Sequence, residues 1–171
     1  MTLAIGDPAP PFTLPDTHGA PTPLRDGPAA ATVVVFTCNH CPYALAWHER
    51  IQAVARDYAA RGVRTLQINA NDSARYPHDS IEAMGARVDA GEFAGPYLHD
   101  ATQEVAREWG AAVTPDVFVL DADGRIAYHG APDADYHEEA LGAVWLREAL
   151  DAVLDGREPA RAQTKPVGCS I

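Results

Sequence analysis

The sequence predicts an α/β fold, a central mixed β-sheet flanked by helices and preceded by an N-terminal extension. Three observations predict it. Residues 32–36, Thr-Val-Val-Val-Phe, are a continuous β-branched and aromatic run of strand length, the pattern of a strand buried on both faces. Trp47, Ile51, Val54 and Tyr58 then recur at helical spacing up to a stop at Gly62, after which residues 63–69 read as a second buried strand. Finally, residues 116–120 and 125–129 read as short strands joined by Asp-Ala-Asp-Gly, whose Asp-Gly pair supplies the positive φ values of a tight hairpin. A strand-helix-strand unit followed by an antiparallel hairpin implies a mixed sheet with helices on both faces.

The remaining elements follow in order. Residues 1–30 are proline-rich, with a turn signal at Asp16-Thr17-His18-Gly19, and read as an irregular arm with at most a small hairpin. Residues 71–77 are a polar loop, and Ser80 can cap a short helix running towards Gly91. Residues 96–99 are a short extended piece. Asp100 with Gln103 resembles a capping box for a helix containing Val105 and Trp109 and stopping near Gly110. A last helix is expected over 138–154, with Leu146, Leu150 and Val153 inward, before a polar tail over 157–171.

The 171 residues suit one domain spanning 1–171, and 47% apolar with 22% charged residues is a globular balance. Thirteen basic against 24 acidic residues give a formal net charge of −11, which argues against nucleic acid and anionic membrane as partners, since both need a basic patch. No run approaches the roughly 20 apolar residues of a membrane span. The N-terminal residues have neither the basic nor the apolar region of a secretory leader, so a cytoplasmic location is expected. Three cysteines are too few to staple a secreted scaffold.

Their placement carries the chemistry. Cys38-Asn39-His40-Cys41-Pro42 lies between a buried strand and an amphipathic helix. A cysteine just before the helix would have its thiolate favoured by free N–H groups and the helix dipole, and thiolate is the attacking species in disulfide exchange. Cys38 is the expected nucleophile and Cys41, one turn on, the resolving thiol. Pro42 suits the first helical turn. His40 beside the thiolate would lower the pKa of Cys38, and each unit is worth about 30 mV of oxidising power in a two-electron couple. The Cys38–Cys41 couple is therefore expected to be more oxidising than one with Gly-Pro between its cysteines. The same spacing is half of a zinc site, to which Cys169 and a histidine would add ligands, but no second Cys-x-x-Cys follows; two packed, reduced thiols are the other bland reading. No metal and no cofactor are expected.

With these motifs the chain resembles the thioredoxin superfamily and, within it, the redoxin group joining thioredoxin-like reductases to alkyl hydroperoxide reductase/thiol-specific antioxidant proteins, the peroxiredoxin relatives. Residues 5–19 look like that group's N-terminal extension, Cys38 to Pro42 occupies its redox position, and Val113-Thr114-Pro115-Asp116 looks like its cis-proline loop. The resemblance implies a thioredoxin fold, and a Pro115 in cis beside the redox cysteines with Thr114 presenting its backbone to an extended substrate. It implies thiol–disulfide oxidoreductase chemistry on protein thiols or disulfides, or with a reductase. The peroxiredoxin pattern Pro-x-x-x-Thr/Ser-x-x-Cys fits neither cysteine, because Val35 and Ala31 stand at its positions before Cys38 and Cys38 and Val34 before Cys41. Peroxidase action on small hydroperoxides through Cys38 is thus the alternative, and a non-enzymatic redox sensor the second. Thr37 and Thr32 stand where thioredoxin has a tryptophan and a buried acid, so the proton acceptor for Cys41 is unassigned.

Cys169 reads either as a surface thiol on a frayed tail or as a third redox cysteine that folds back to Cys38 or Cys41. Asn69, Asn71 and Asp72 follow a strand, where site loops often lie, yet polar turn formers need no function. Trp47, Trp109 and Trp145 read as core. His48 reads as an exposed helix residue, and His129 and His137 as loop-flanking histidines whose spacing supports no metal site.

Overall fold

The computed structural model describes residues 3–171. In chain order it contains β1 (Thr13–Pro15), β2 (Pro21–Pro23), β3 (Ala31–Thr37), α1 (Pro42–Ala59), β4 (Val63–Asn69), α2 (Ile81–Asp89), β5 (Tyr97–His99), α3 (Glu104–Trp109), β6 (Val113–Thr114), β7 (Asp116–Leu120), β8 (Ile126–Gly130), α4 (Val144–Leu154) and β9 (Cys169–Ser170). The main sheet has the order β5-β4-β3-β7-β8. Strand β3 runs parallel to β4 and antiparallel to β7, and β5 runs parallel to β4. This is the thioredoxin fold with an N-terminal extension.

Every residue of β3 is buried, as its unbroken apolar run requires. Its alternating side chains feed two cores. Val34 and Phe36 point to a layer closed by Trp109 of α3 and by Phe12, Leu14 and Leu24 from the extension, so the proline-rich arm is a lid on the sheet. Val33 and Val35 meet Trp47, Ile51 and Val54 of α1 and Leu146 and Leu150 of α4 on the opposite face. The extension carries the small hairpin β1–β2, whose turn is held by Asp16 Oδ1 accepting from the His18 and Ala20 N–H groups at 2.8 and 2.9 Å. Among the described residues no helix is long and apolar enough to cross a membrane.

Three expectations fail for identifiable reasons. No capping box forms at residues 100–103. Gln103 adopts a left-handed conformation (φ 63°) and donates its amide to the Ala70 carbonyl at 2.8 Å, while Asp100 Oδ2 accepts the Ala106 N–H at 2.9 Å. The helix expected over 138–154 is broken. A 3-10 turn, Glu139–Leu141, is followed by left-handed Gly142 and Ala143, and α4 begins only at Val144. The break lets buried Asp133 accept the Ala143 N–H at 2.9 Å, together with Trp47 Nε1 at 2.8 Å and Arg50 Nη1 at 2.8 Å. A buried carboxylate needs such donors more than the chain needs one more helical turn.

His48 is buried rather than exposed. Its Nε2–H donates to the Glu92 carbonyl at 2.7 Å, and the ring meets Phe93 edge-on. Burial pushes its pKa below the ordinary 6.5. Acid therefore protonates the unfolded chain before the folded one, and stability from this residue declines as pH falls through 6.5. In denaturant titrations His48→Gln is expected to flatten that part of the pH–stability curve; an unchanged slope would contradict the assignment.

Candidate active site

The redox motif sits at the carboxyl end of β3, where the chain turns into α1. Because Pro42 is the first helical residue, the N-cap is Cys41. The helix terminus still acts on Cys38, as expected from the sequence, because the N–H of the cap residue Cys41 reaches back to the sulfur a turn earlier. Both are free thiols, with residue exposures of 1% and 0%. Cys38 Sγ accepts the Cys41 N–H at 3.3 Å and lies 3.3 Å from Thr114 Oγ1. Cys41 Sγ lies 3.4 Å from the Thr114 carbonyl. Thr114 thus touches both sulfurs, and the Thr114–Pro115 peptide is cis, as the resemblance implies.

The two sulfurs titrate as a pair. Their mutual contact draws Cys41 down to about 4 and, with burial adding to it, drives Cys38 above the ordinary thiol range. The sulfur contact thus lets the pair share one proton and hold one negative charge, and it is the thiol form of Cys41 that reaches the Thr114 carbonyl. The Thr114 hydroxyl favours the ionised form of either sulfur. Removing it should destabilise the reduced state. Thr114→Val is expected to lower the Cys38–Cys41 potential by on the order of 30 mV, one unit of thiolate stabilisation, in a glutathione redox titration.

The His40 side chain does not hydrogen-bond the Cys38 sulfur. Its Nδ1 pairs with Asp79 Oδ2, and its ring stacks on Tyr76 with centroids 4.5 Å apart. Asp79, at the end of the 3-10 turn Pro77–Asp79, is fully buried and collects four donors. Besides His40, it accepts the Asn39 N–H at 2.7 Å and the side-chain amides of Asn69 and Asn71 at 3.0 and 3.2 Å. Asn39 Oδ1 in turn accepts from Tyr97 Oη at 2.8 Å and Arg87 Nη1 at 2.7 Å. The two residues between the cysteines are therefore fixed by a buried carboxylate some forty positions away. Sequence reasoning missed Asp79, although the polar loop after β4 marked the neighbourhood. The β3–β4 register, which pairs Thr37 with Asn69, brings that loop to the motif.

Cys38, His40 and Asp79 have ligand-type atoms within 4.8 Å of one another. Of the three, His40 and Asp79 hydrogen-bond each other, whereas Cys38 Sγ is engaged by the Cys41 N–H and the Thr114 hydroxyl. Of the other histidines weighed from sequence, His129 is held by Asp116 Oδ1 at 2.7 Å and stacks on Phe118. Trp47 and Trp109 are core residues.

The tail is not frayed. Residue Cys169 pairs with Thr114, and Ser170 with Val113, in the antiparallel ladder β6–β9. The Ile171 N–H donates to the Ala112 carbonyl at 3.1 Å. Cys169 packs on the cluster of Cys38, Cys41 and Ala44. Burial, followed by the Cys41 sulfur, pushes its thiol up to about 11.

The model of the AhpC/TSA family matches residues 5–129. The thiol:disulfide interchange protein DsbE of Allochromatium vinosum is 25% identical over 147 residues, covering 84% of this chain and 76% of that protein. A candidate peroxiredoxin of Mycobacterium tuberculosis is 28% identical over 159 residues, 83% of this chain and 90% of that one. A crystal structure of a hypothetical protein from Sinorhizobium meliloti 1021 superposes with a TM-score of 0.93 at 37% identity, covering 99% of this chain and 94% of that one.

Proposed function

Since the chain belongs to the AhpC/TSA family of thioredoxin-like redox proteins, we propose that it is a thiol–disulfide oxidoreductase whose Cys38–Cys41 pair cycles between dithiol and disulfide. The observation that carries this reading is the placement of two free thiols at the strand-to-helix turn, both in contact with Thr114. The sulfur contact lets the pair share one proton and hold a single negative charge. On Cys38 it meets the Cys41 N–H and the Thr114 hydroxyl. Cys38 then attacks a substrate disulfide, expelling one substrate thiolate and forming a mixed disulfide. Cys41 attacks Cys38 Sγ, closing the internal disulfide and releasing the second substrate thiol. His40 and Asn39, tied to Asp79, hold the turn in shape during exchange. Thr114-Pro115 shapes the surface on which the substrate lies.

Reduction of insulin by the dithiol-regenerated protein tests the reading. Turnover above that of an equal concentration of free dithiol supports it; turnover equal to that background overturns it. The likeness to a candidate peroxiredoxin favours a second reading, reduction of small hydroperoxides through Cys38. Rapid-mixing consumption of hydrogen peroxide faster than by a free thiol at the same pH would select it.

A further inference from the structure

The edge of Thr114 that faces both redox sulfurs is already occupied. Strand β9 lies on it antiparallel, with Cys169 opposite Thr114 and Ile171 packed against the core beneath the sheet. The fit depends on the residue before the cysteine. A Cβ at Gly168 would stand 1.9 Å from the Thr114 carbonyl oxygen and 2.5 Å from its carbon, so only glycine lets the strand approach. The approach sets the Cys169 side chain on Cys38, Cys41 and Ala44, with its sulfur facing Cys41.

From this seating we infer that Cys169 is a third redox cysteine, and that residues 168–171 are an intramolecular substrate strand which moves the active-site disulfide from Cys38–Cys41 to Cys41–Cys169. The step rests on the reading that Cys38 and Cys41 form a disulfide. The Cys169 thiolate attacks Cys41 Sγ, the Cys41–Cys169 bond forms as the Cys38–Cys41 bond breaks, and the electron pair leaves on Cys38. The proton given up by Cys169 ends on Cys38. One disulfide and one thiol stand on each side, so no oxidant or reductant is consumed. The result holds the oxidised pair under the tail with Cys38 free. An external substrate strand must displace β9 to reach Thr114, and the reverse exchange restores Cys38–Cys41.

Oxidation with diamide, rapid alkylation of remaining thiols and peptide mapping test this in the full chain, in Cys38→Ser and in Gly168→Ala. The expected results are a Cys41–Cys169 linkage within single chains of Cys38→Ser, both Cys38–Cys41 and Cys41–Cys169 linkages in the parent, and an about tenfold smaller share of Cys41–Cys169 in Gly168→Ala with Cys38–Cys41 retained. A parent that forms Cys38–Cys41 while Cys169 remains alkylated in parent and Cys38→Ser alike overturns the inference and leaves the dithiol reading standing. A parent that forms no Cys38–Cys41 linkage overturns the dithiol reading and this inference with it.

Discussion

Cys38→Ser is expected to reduce insulin no faster than the added dithiol alone, whereas Cys41→Ser should accumulate a mixed disulfide that only external thiol releases. The asymmetry follows from the proposed order of attack. A serine at 38 removes the sulfur that meets the substrate, and its hydroxyl, with no accessible anion near neutral pH, cannot replace it. A serine at 41 removes only the second attack, so substrate stays covalently attached to Cys38. Mass spectrometry after a single turnover separates the two variants: an adduct on Cys38 in Cys41→Ser, and no substrate adduct on residue 38 in Cys38→Ser. Equal insulin turnover by Cys38→Ser and the parent would show that Cys38 is not the nucleophile. Both serines are close in volume to cysteine but place a hydroxyl in a buried site, so a cooperative unfolding transition in each variant is the check that the loss is one of chemistry.

Asp79→Ala is expected to cost about 3 kcal/mol or more of stability, because it leaves buried donors without an acceptor. The Asn39 N–H and the amides of Asn69 and Asn71 all donate to its carboxylate, and only the Asn69 amide has a second acceptor, Tyr97 Oη at 3.1 Å. For a chain of this size that loss lowers the melting temperature by roughly 10 °C. Asp79→Asn should cost less, since its carbonyl oxygen keeps some of these bonds, but its amide N–H groups oppose those of Asn69 and Asn71. Urea titration with an unchanged m-value reads the effect. The same variants should shift the Cys38–Cys41 potential, since Asn39 and His40 lose the anchor that fixes the turn. A stability loss below about 1 kcal/mol in Asp79→Ala would mean that water replaces the carboxylate at little cost.

Much of the fold was legible because its signals are local. The all-buried run of β3 and the glycine stop after α1 each depend on residues within one element. So do the Ser80 cap of α2, where Ser80 Oγ accepts the Ala83 N–H at 3.1 Å, and the Asp-Gly turn between β7 and β8. The failures share the opposite property. The helix expected over 138–154 breaks because Asp133 needs the Ala143 N–H, and the capping box fails because Gln103 reaches Ala70. His48 turns inward because a carbonyl at Glu92 waits for it. Each is a demand for a hydrogen bond from outside the element, ten to forty-four residues away, that overrides local preference.

By itself the sequence determined that two cysteines one turn apart stand where a buried strand meets a helix, since strand, spacing and Pro42 are written within a dozen residues. It also pointed to Thr114-Pro115 through the family resemblance. Only the tertiary structure decided how those thiols are tuned. It set both sulfurs on Thr114, gave the His40 side chain to Asp79 instead of to Cys38, and seated Cys169 on the Thr114 edge. A pKa and a contact depend on which groups lie within a few ångströms, and in this chain those groups come from the motif itself, a loop some forty residues on, Thr114 and the C-terminus. Pattern along the chain reports burial and period; it does not report which distant donor reaches which buried acceptor.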